Sequence, residues 1–260
     1  MAKFISDLKR YKKYMIYATK ANLKSDVAAS YLNWLWWILD PLLFMLVYTF
    51  VSLVVFGKSE QYFPIFIFIG LNSWNFFNHC VVKSTRLVRS YKGVLSRIYL
   101  PKYVLILISI MENLFEMFIS FLLVFVMMPF YRVPLSWNVL NIVPLFLTLI
   151  VITFGVSCIV LHFGVYFDDL RNIITVLLRL VFYFTGIFYS IRKRIPKPYS
   201  SWLLHLNPIA FIVEGLRDSL LYSETVQYWY LGILFFVGCV LSYIGIRLIQ
   251  KYENGYVKVI

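Results

Sequence analysis

Hydrophobic positions along the chain fall into six long runs, near residues 31–56, 62–82, 103–130, 138–166, 173–190 and 228–248, with charged residues gathered between them. A helix crossing a ~30 Å hydrocarbon core needs roughly 20 apolar residues, and the pattern predicts an all-α polytopic membrane protein with about six transmembrane helices. Residues 1–28 follow a different rule. At ~100° per residue, Phe4, Leu8, Tyr11, Met15 and Ala18 share one face, and Lys9, Lys13, Lys20 and Lys24 line the opposite one. Two readings of this basic amphipathic helix are open: it lies in the plane of the membrane, or it is a solvated helix packed on a soluble partner.

Two further segments break the six-run pattern. The apolar run Trp202–Val213 is split by Asn207-Pro208 and is too short to cross, so residues 191–226 are predicted to form a re-entrant segment at the outer face. Within residues 84–101, Leu87, Tyr91, Val94 or Leu95, and Ile98 recur at helical spacing, with Arg89, Lys92 and Arg97 among them. This predicts a short helix along the inner membrane face, held there by the lipid surface alone or seated in a groove of a soluble partner.

Composition supports the membrane class. The 260 residues are 61% hydrophobic and 14% charged, with a mean hydropathy of +0.78; soluble domains run near ~45–50% and ~25%. A net charge of +13 would suggest nucleic acid in a soluble protein. Here the charges sit between apolar runs, where they set topology and meet anionic lipid, and no nucleic-acid partner is expected. Six crossings put both termini on one side, which receives 17 of the Lys and Arg residues against 7 on the other. By the positive-inside rule that side is cytoplasmic. The outer group Arg192-Lys193-Arg194 with Lys197 runs against the rule; such a rim would attract a phosphate-bearing substrate or anchor lipid head groups. No cleavable signal peptide is expected, and Cys80, Cys158 and Cys239 are too far apart to suggest a disulfide frame or a metal site.

Catalytic chemistry is not legible. Gly57-Lys58-Ser59 resembles the end of a phosphate-binding loop, but Ser52 stands where that motif needs Gly. His79, His162 and His205 are isolated from metal or triad partners. The chain is therefore not expected to be an enzyme or to bind a cofactor, and active transport would need a separate ATPase. Four ionisable residues fall inside the spans: Asp40, Glu112, Glu116 and Arg179. Glu112 and Glu116 share one helix face, where they would pair with Arg179 or backbone donors, or serve as proton relays. Aromatic residues make up 20% of the chain, which suits both a glycan conduit and ordinary interfacial belts.

The order of these features resembles the ABC-2 type permeases that export polysaccharides and polyol phosphates, including O-antigen, capsule and wall teichoic acid exporters. Four blocks carry the resemblance: Ser30 through Asp40-Pro41-Leu42-Leu43 with Val47-Tyr48-Thr49-Phe50; Tyr62-Phe63-Pro64 through Gly70-Leu71, Trp74 and Phe76-Phe77; Val94 through Tyr99-Leu100-Pro101-Lys102; and Leu206-Asn207-Pro208 through Glu214 to Arg217. Four positions depart from the family pattern: Asn33 for Gly, Asp40 for an amide, Asp168 for Arg, and Gly186 for Pro.

The resemblance implies a homodimer with two copies of an ATPase that binds ATP and Mg, in the bacterial cytoplasmic membrane. Residues 84–101 would be the coupling helix, through Arg86, Arg89, Tyr91, Lys92, Leu95, Arg97, Tyr99 and Pro101. Phe188, Tyr189, Asn207, Pro208, Glu214 and Arg217 would belong to the outer gate. The cargo would be a glycan or polyol-phosphate chain on an undecaprenyl-type lipid. Two other classes stay open: an ABC-2 exporter of drugs or small lipids, and a proton-coupled transporter using Asp40, Glu112 or Glu116.

Overall fold

The computed structural model describes residues 2–28, 35–54 and 60–259. Residues 29–34, which include Asn33 and the start of the first resemblance block, and Gly57-Lys58-Ser59 lie outside the described residues. The fold is all helical. Among the described residues, four stretches are long and apolar enough to cross a membrane: Phe63–Ser84, Lys102–Phe130, Trp137–Tyr166 and Tyr228–Glu253. They correspond to α3 (Phe63–Ser84), α6 (Lys102–Phe130), α7 (Ile142–Tyr166) with the 3-10 turn before it, and most of α12 (Tyr228–Val259). Two shorter helices, α2 (Trp36–Val54) and α8 (Leu170–Phe184), fall where the first and fifth runs are.

α1 (Ala2–Ala28) keeps the predicted two faces. Met15, Ala18 and Leu23 are buried, Phe4, Leu8 and Tyr11 are half-buried, and Lys9, Lys13, Lys20 and Lys24 are exposed. The apolar face packs on the protein's own helices. Phe4 meets the Tyr103 ring edge-on at 5.2 Å, and the Tyr103 hydroxyl donates to Asp7.

α3 is the central helix, with 78% of its most apolar stretch buried. Its first turns lie against the Gly186 region, and its last turn against Gly164 of α7, where an added Cβ would meet the Thr85 carbonyl at 2.3 Å. α7 and α12 run parallel: Tyr228 donates to Asn141 at 2.8 Å where both begin, and His162 and Tyr256 share a 2.6 Å hydrogen bond near their other ends. Small residues let these two backbones approach. A Cβ on Gly155 would stand 2.7 Å from the Ser242 nitrogen, and one on Gly245 2.4 Å from the Cys158 Cβ.

Two predicted elements take a different form. The fifth helix stops at Phe184 rather than 190, because Gly186 has φ +67, the left-handed region that glycine enters at little cost. At 15 residues α8 is about 22 Å long, short of the hydrocarbon thickness. The predicted single helix within 84–101 is two separate turns, α4 (Leu87–Ser90) and α5 (Lys92–Leu95), divided at Tyr91. Leu87 and Val88 are buried there, whereas Ile98 is exposed and leaves the apolar stripe.

After Gly186 the chain folds into α9 (Ile191–Arg194), α10 (Tyr199–Leu206) and α11 (Pro208–Leu221). Asn207-Pro208 divides α10 from α11 as a cap. Asn207 Oδ1 accepts from the Ile209 and Ala210 amides at 3.1 and 3.2 Å, and Pro208 occupies the first helical turn. Every residue from Ile209 to Leu221 is buried. Because α3 touches α11 at its start and α4 at its end, the 84–101 and 191–226 segments lie at opposite ends of the bundle.

Candidate functional site

Polar residues of α3 recur at Asn72, Asn75, His79 and Lys83, a spacing of three to four that places them on one face and leads to Arg86 just beyond the helix. Glu112, Asn113, Glu116 and Ser120 do the same on α6. The two faces border a deep cavity of about 110 Å³ and a wider one of about 590 Å³, which share His79, Asn113 and Glu116. α2 covers the deep part with Trp36, Asp40 and Pro41. The wide part opens beside Arg86, Ser90 and Arg171, at the α4 end. From Lys83 to Asn72 the groove is ~16 Å deep. A row of polar side chains within spanning helices is costly unless hydrated or paired, and a groove open at the α4 end gives those without protein partners an inlet to water.

Its mouth is held by one carboxylate. Glu112 is buried; its Oε2 lies 2.6 Å from Lys83 Nζ, and its Oε1 accepts from Asn22 Nδ2 at 2.5 Å. The same Asn22 amide donates to the Tyr91 hydroxyl at 2.6 Å, linking α1, α3, α6 and the junction of α4 and α5. Deeper in, Asn72 and Asn113 donate to the carbonyls of Phe68 and Ser109, each at 2.8 Å. A carbonyl only accepts, so the amide nitrogen faces it and Oδ1 is left to the cavity. With Glu116 and Asp40 nearby, the narrow end is rich in acceptors and matches a donor such as a hydroxyl group or water.

These contacts revise the expected pairing. Glu112 pairs with Lys83 and Asn22, while Arg179 is exposed on α8 and lines neither cavity. Asp40 and Glu116 are brought together along one cavity. Sequence reasoning singled out neither Asn22, Asn72, Asn75, Lys83 nor Asn113, although the three-to-four spacing from Asn72 to Arg86 was a readable signal. Among the described residues, no three His, Cys, Asp or Glu side chains converge as metal ligands.

Around the mouth, the residues of the 84–101 segment divide in two. Arg89 is engaged within the chain: it forms an ion pair with Asp168 at the surface and donates to the Val165 carbonyl at 3.4 Å. Asp168, where the family pattern has Arg, thus has its counter-charge within the chain. Tyr91 and Leu95 pack on the core, and Pro101 is buried at the start of α6. Arg86, Lys92, Arg97 and Tyr99 are exposed. The Tyr99 hydroxyl donates to Glu253 at 2.7 Å, and Lys3 pairs with the same carboxylate at 3.3 Å.

At the opposite end, Arg217, one of the seven Lys and Arg residues assigned to the outer side, is fully buried. It donates to the carbonyls of Phe66, Gly186 and Ile187 at 3.1, 2.9 and 2.8 Å, and lies 3.4 Å from Glu214 Oε2. Glu214 Oε1 accepts from Ser190 at 2.7 Å. Burying a guanidinium costs several kcal/mol unless its donors are satisfied, and here three carbonyls and a carboxylate satisfy them. Phe188 packs on Tyr48 at 4.6 Å and Tyr189 donates to the Tyr183 carbonyl at 3.0 Å. Asn207 Nδ2 donates to Thr185 at 2.9 Å, so the gate candidates cluster round the end of α8.

A sequence description of the ABC-2 type transporter family matches residues 15–221, from the second half of α1 to the end of α11. The chain belongs to the ABC-2 transporter membrane family. Its curated ABC-2 relatives include the O-antigen export system permease protein RfbA of Klebsiella pneumoniae, 28% identical over 252 residues, 95% of this chain and 94% of the relative. The O-antigen export system permease protein RfbA of Myxococcus xanthus is 28% identical over 217 residues, 84% of each chain. The polysialic acid transport protein KpsM of Escherichia coli is 25% identical over 233 residues, 86% of this chain and 87% of the relative. These relatives are transport proteins rather than enzymes, and this ABC-2 chain is a multi-pass membrane permease.

Proposed function

We propose that the chain is the permease subunit of an ATP-driven exporter for a polysaccharide or polyol-phosphate polymer carried on an undecaprenyl-type lipid. It works as a homodimer with two copies of a separate ATPase, which binds ATP and Mg, in the bacterial cytoplasmic membrane with both termini cytoplasmic. The observation that carries this reading is similarity over 95% of the chain to an O-antigen export permease. The geometry agrees with it: Arg86 and Ser90 belong to the coupling segment and also line the wide mouth of the groove, so movement there changes the inlet directly.

Deleting the gene should leave polymer inside the cell and remove it from the surface, and the intact gene should restore it. Surface polymer unchanged by the deletion would sink the proposal. Export that survives loss of the partner ATPase but stops with an uncoupler would replace it with a proton-driven one.

A further inference from the structure

The four cations at residues 192–197 ran against the topology rule, and the structure accounts for three of them. Glu60 takes Lys193 at 3.1 Å and Arg194 at 3.6 Å, and Asp218 takes Arg192 at 2.9 Å. Lys193 also lies 4.7 Å from the centre of the Tyr222 ring. Lys197 remains, with no carboxylate in ion-pair reach among the described residues.

Lys197 lines a cavity of about 380 Å³ between α10, α11 and the start of α12. Arg192, Ser200, Ser201, His205 and Gln227 share it, over a floor of Leu204 and Phe211. The lining thus holds two cations, two hydroxyls and a carboxamide, and no carboxylate. The groove at the other end is different, since its cations are mixed with Asp26, Glu112 and Glu116. His205 Nδ1 donates to the Ser201 carbonyl at 2.6 Å, which leaves Nε2 as the ring's other polar edge, able to meet a neighbouring hydroxyl.

The walls are fixed before any ligand arrives. The Tyr230 hydroxyl donates to the His205 carbonyl, the Ser200 amide to Pro196 at 3.3 Å, and Asn207 caps α11 directly after α10. Tyr199, Trp202 and Leu206 on α10 are exposed, an apolar and aromatic set suited to a membrane interface.

We infer that this pocket binds an oxyanion, with Lys197 facing the charge, Arg192 adding the donors that Asp218 leaves open, and the serines and Gln227 completing its hydrogen bonds. The natural ligand is a phosphate ester, carried by the exported polymer or by a lipid head group. Its assignment to the polymer rests on the export reading above; the binding chemistry does not.

The full chain in phosphatidylcholine nanodiscs, titrated with sn-glycerol 3-phosphate, tests it. Saturable binding should weaken roughly tenfold or more in Lys197→Glu and return in Lys197→Arg, with unchanged melting because Lys197 is exposed. In discs doped with phosphatidylglycerol, native mass spectrometry reads lipid retention. Lys197-dependent retention of lipid without binding of the soluble ester would assign the oxyanion to the bilayer. If neither probe depends on Lys197, the site is overturned. The deletion experiment does not involve Lys197, so the two proposals fail separately.

Discussion

The Nη2 of Arg217 occupies the space that a side chain on Gly70 would need: a β-carbon there would lie 2.5 Å from it. Three backbone carbonyls and Glu214 fix the guanidinium, and its Cζ stands 3.5 Å from the centre of the Phe66 ring, so it has little room to retreat. Gly70→Ala should therefore lower stability by about 1–3 kcal/mol, the usual cost of overpacking, read as a lower melting temperature in detergent. An unchanged melt would mean that Arg217 is not locked in place.

The Lys83–Glu112 pair predicts an asymmetry. Lys83→Ala strands a buried carboxylate, and the loss should fall between the ~1 kcal/mol of a surface pair and the ~3–5 kcal/mol of a buried one, since Lys83 is half open to the groove. Replacing both together, as Lys83→Met with Glu112→Leu, should recover most of that stability. Equal melting losses for the single and double variants would refute the pairing.

The proposed coupling segment divides between Arg89 and Arg97. Arg89→Glu puts two negative charges together at Asp168 and should destabilise the permease itself. Arg97→Glu should leave its melting temperature unchanged and weaken pull-down of the partner ATPase. Arg97→Glu binding the ATPase as the parent does would remove this residue from the contact.

The groove predicts which positions water reaches. In a parent with Cys80, Cys158 and Cys239 replaced by Ser, Asn75→Cys and His79→Cys should react with a membrane-impermeant thiol reagent in inside-out vesicles. Ile67→Cys, fully buried on the same helix, should not. Labelling of Ile67→Cys alongside the others would mean an unfolded helix rather than a groove.

Much of this was legible in residue patterns, because a membrane helix needs a long apolar run and a basic amphipathic helix needs a 3.6-residue period. The two faces of α1 and the break at Asn207-Pro208 follow from those rules alone. The end of α8 did not, since the residues after Gly186 are as apolar as those before it, and only the backbone sign at Gly186 stops the helix. The partner of Glu112 was hidden as well. Lys83 reads as a loop charge when spans are counted, and its carboxylate lies on another helix, so only the packing of α3 on α6 joins them. The burial of Arg217 was hidden too, because assigning a charge to one side of the membrane does not tell a solvated guanidinium from one held by backbone carbonyls.

α12 is one unbroken helix of 32 residues, riveted to α7 along Gly155, Gly238 and Gly245. The chain from Leu170 to Leu221 is instead cut into four pieces joined at Gly186, the 195–198 turn and Asn207. The molecule thus has a stiff flank and a jointed one. Under the coupling proposed above, the seam of α7 and α12 is the frame against which a displacement at residues 84–101 would be measured, and the connections at Gly186, 195–198 and Asn207 are where the angle between pieces could change.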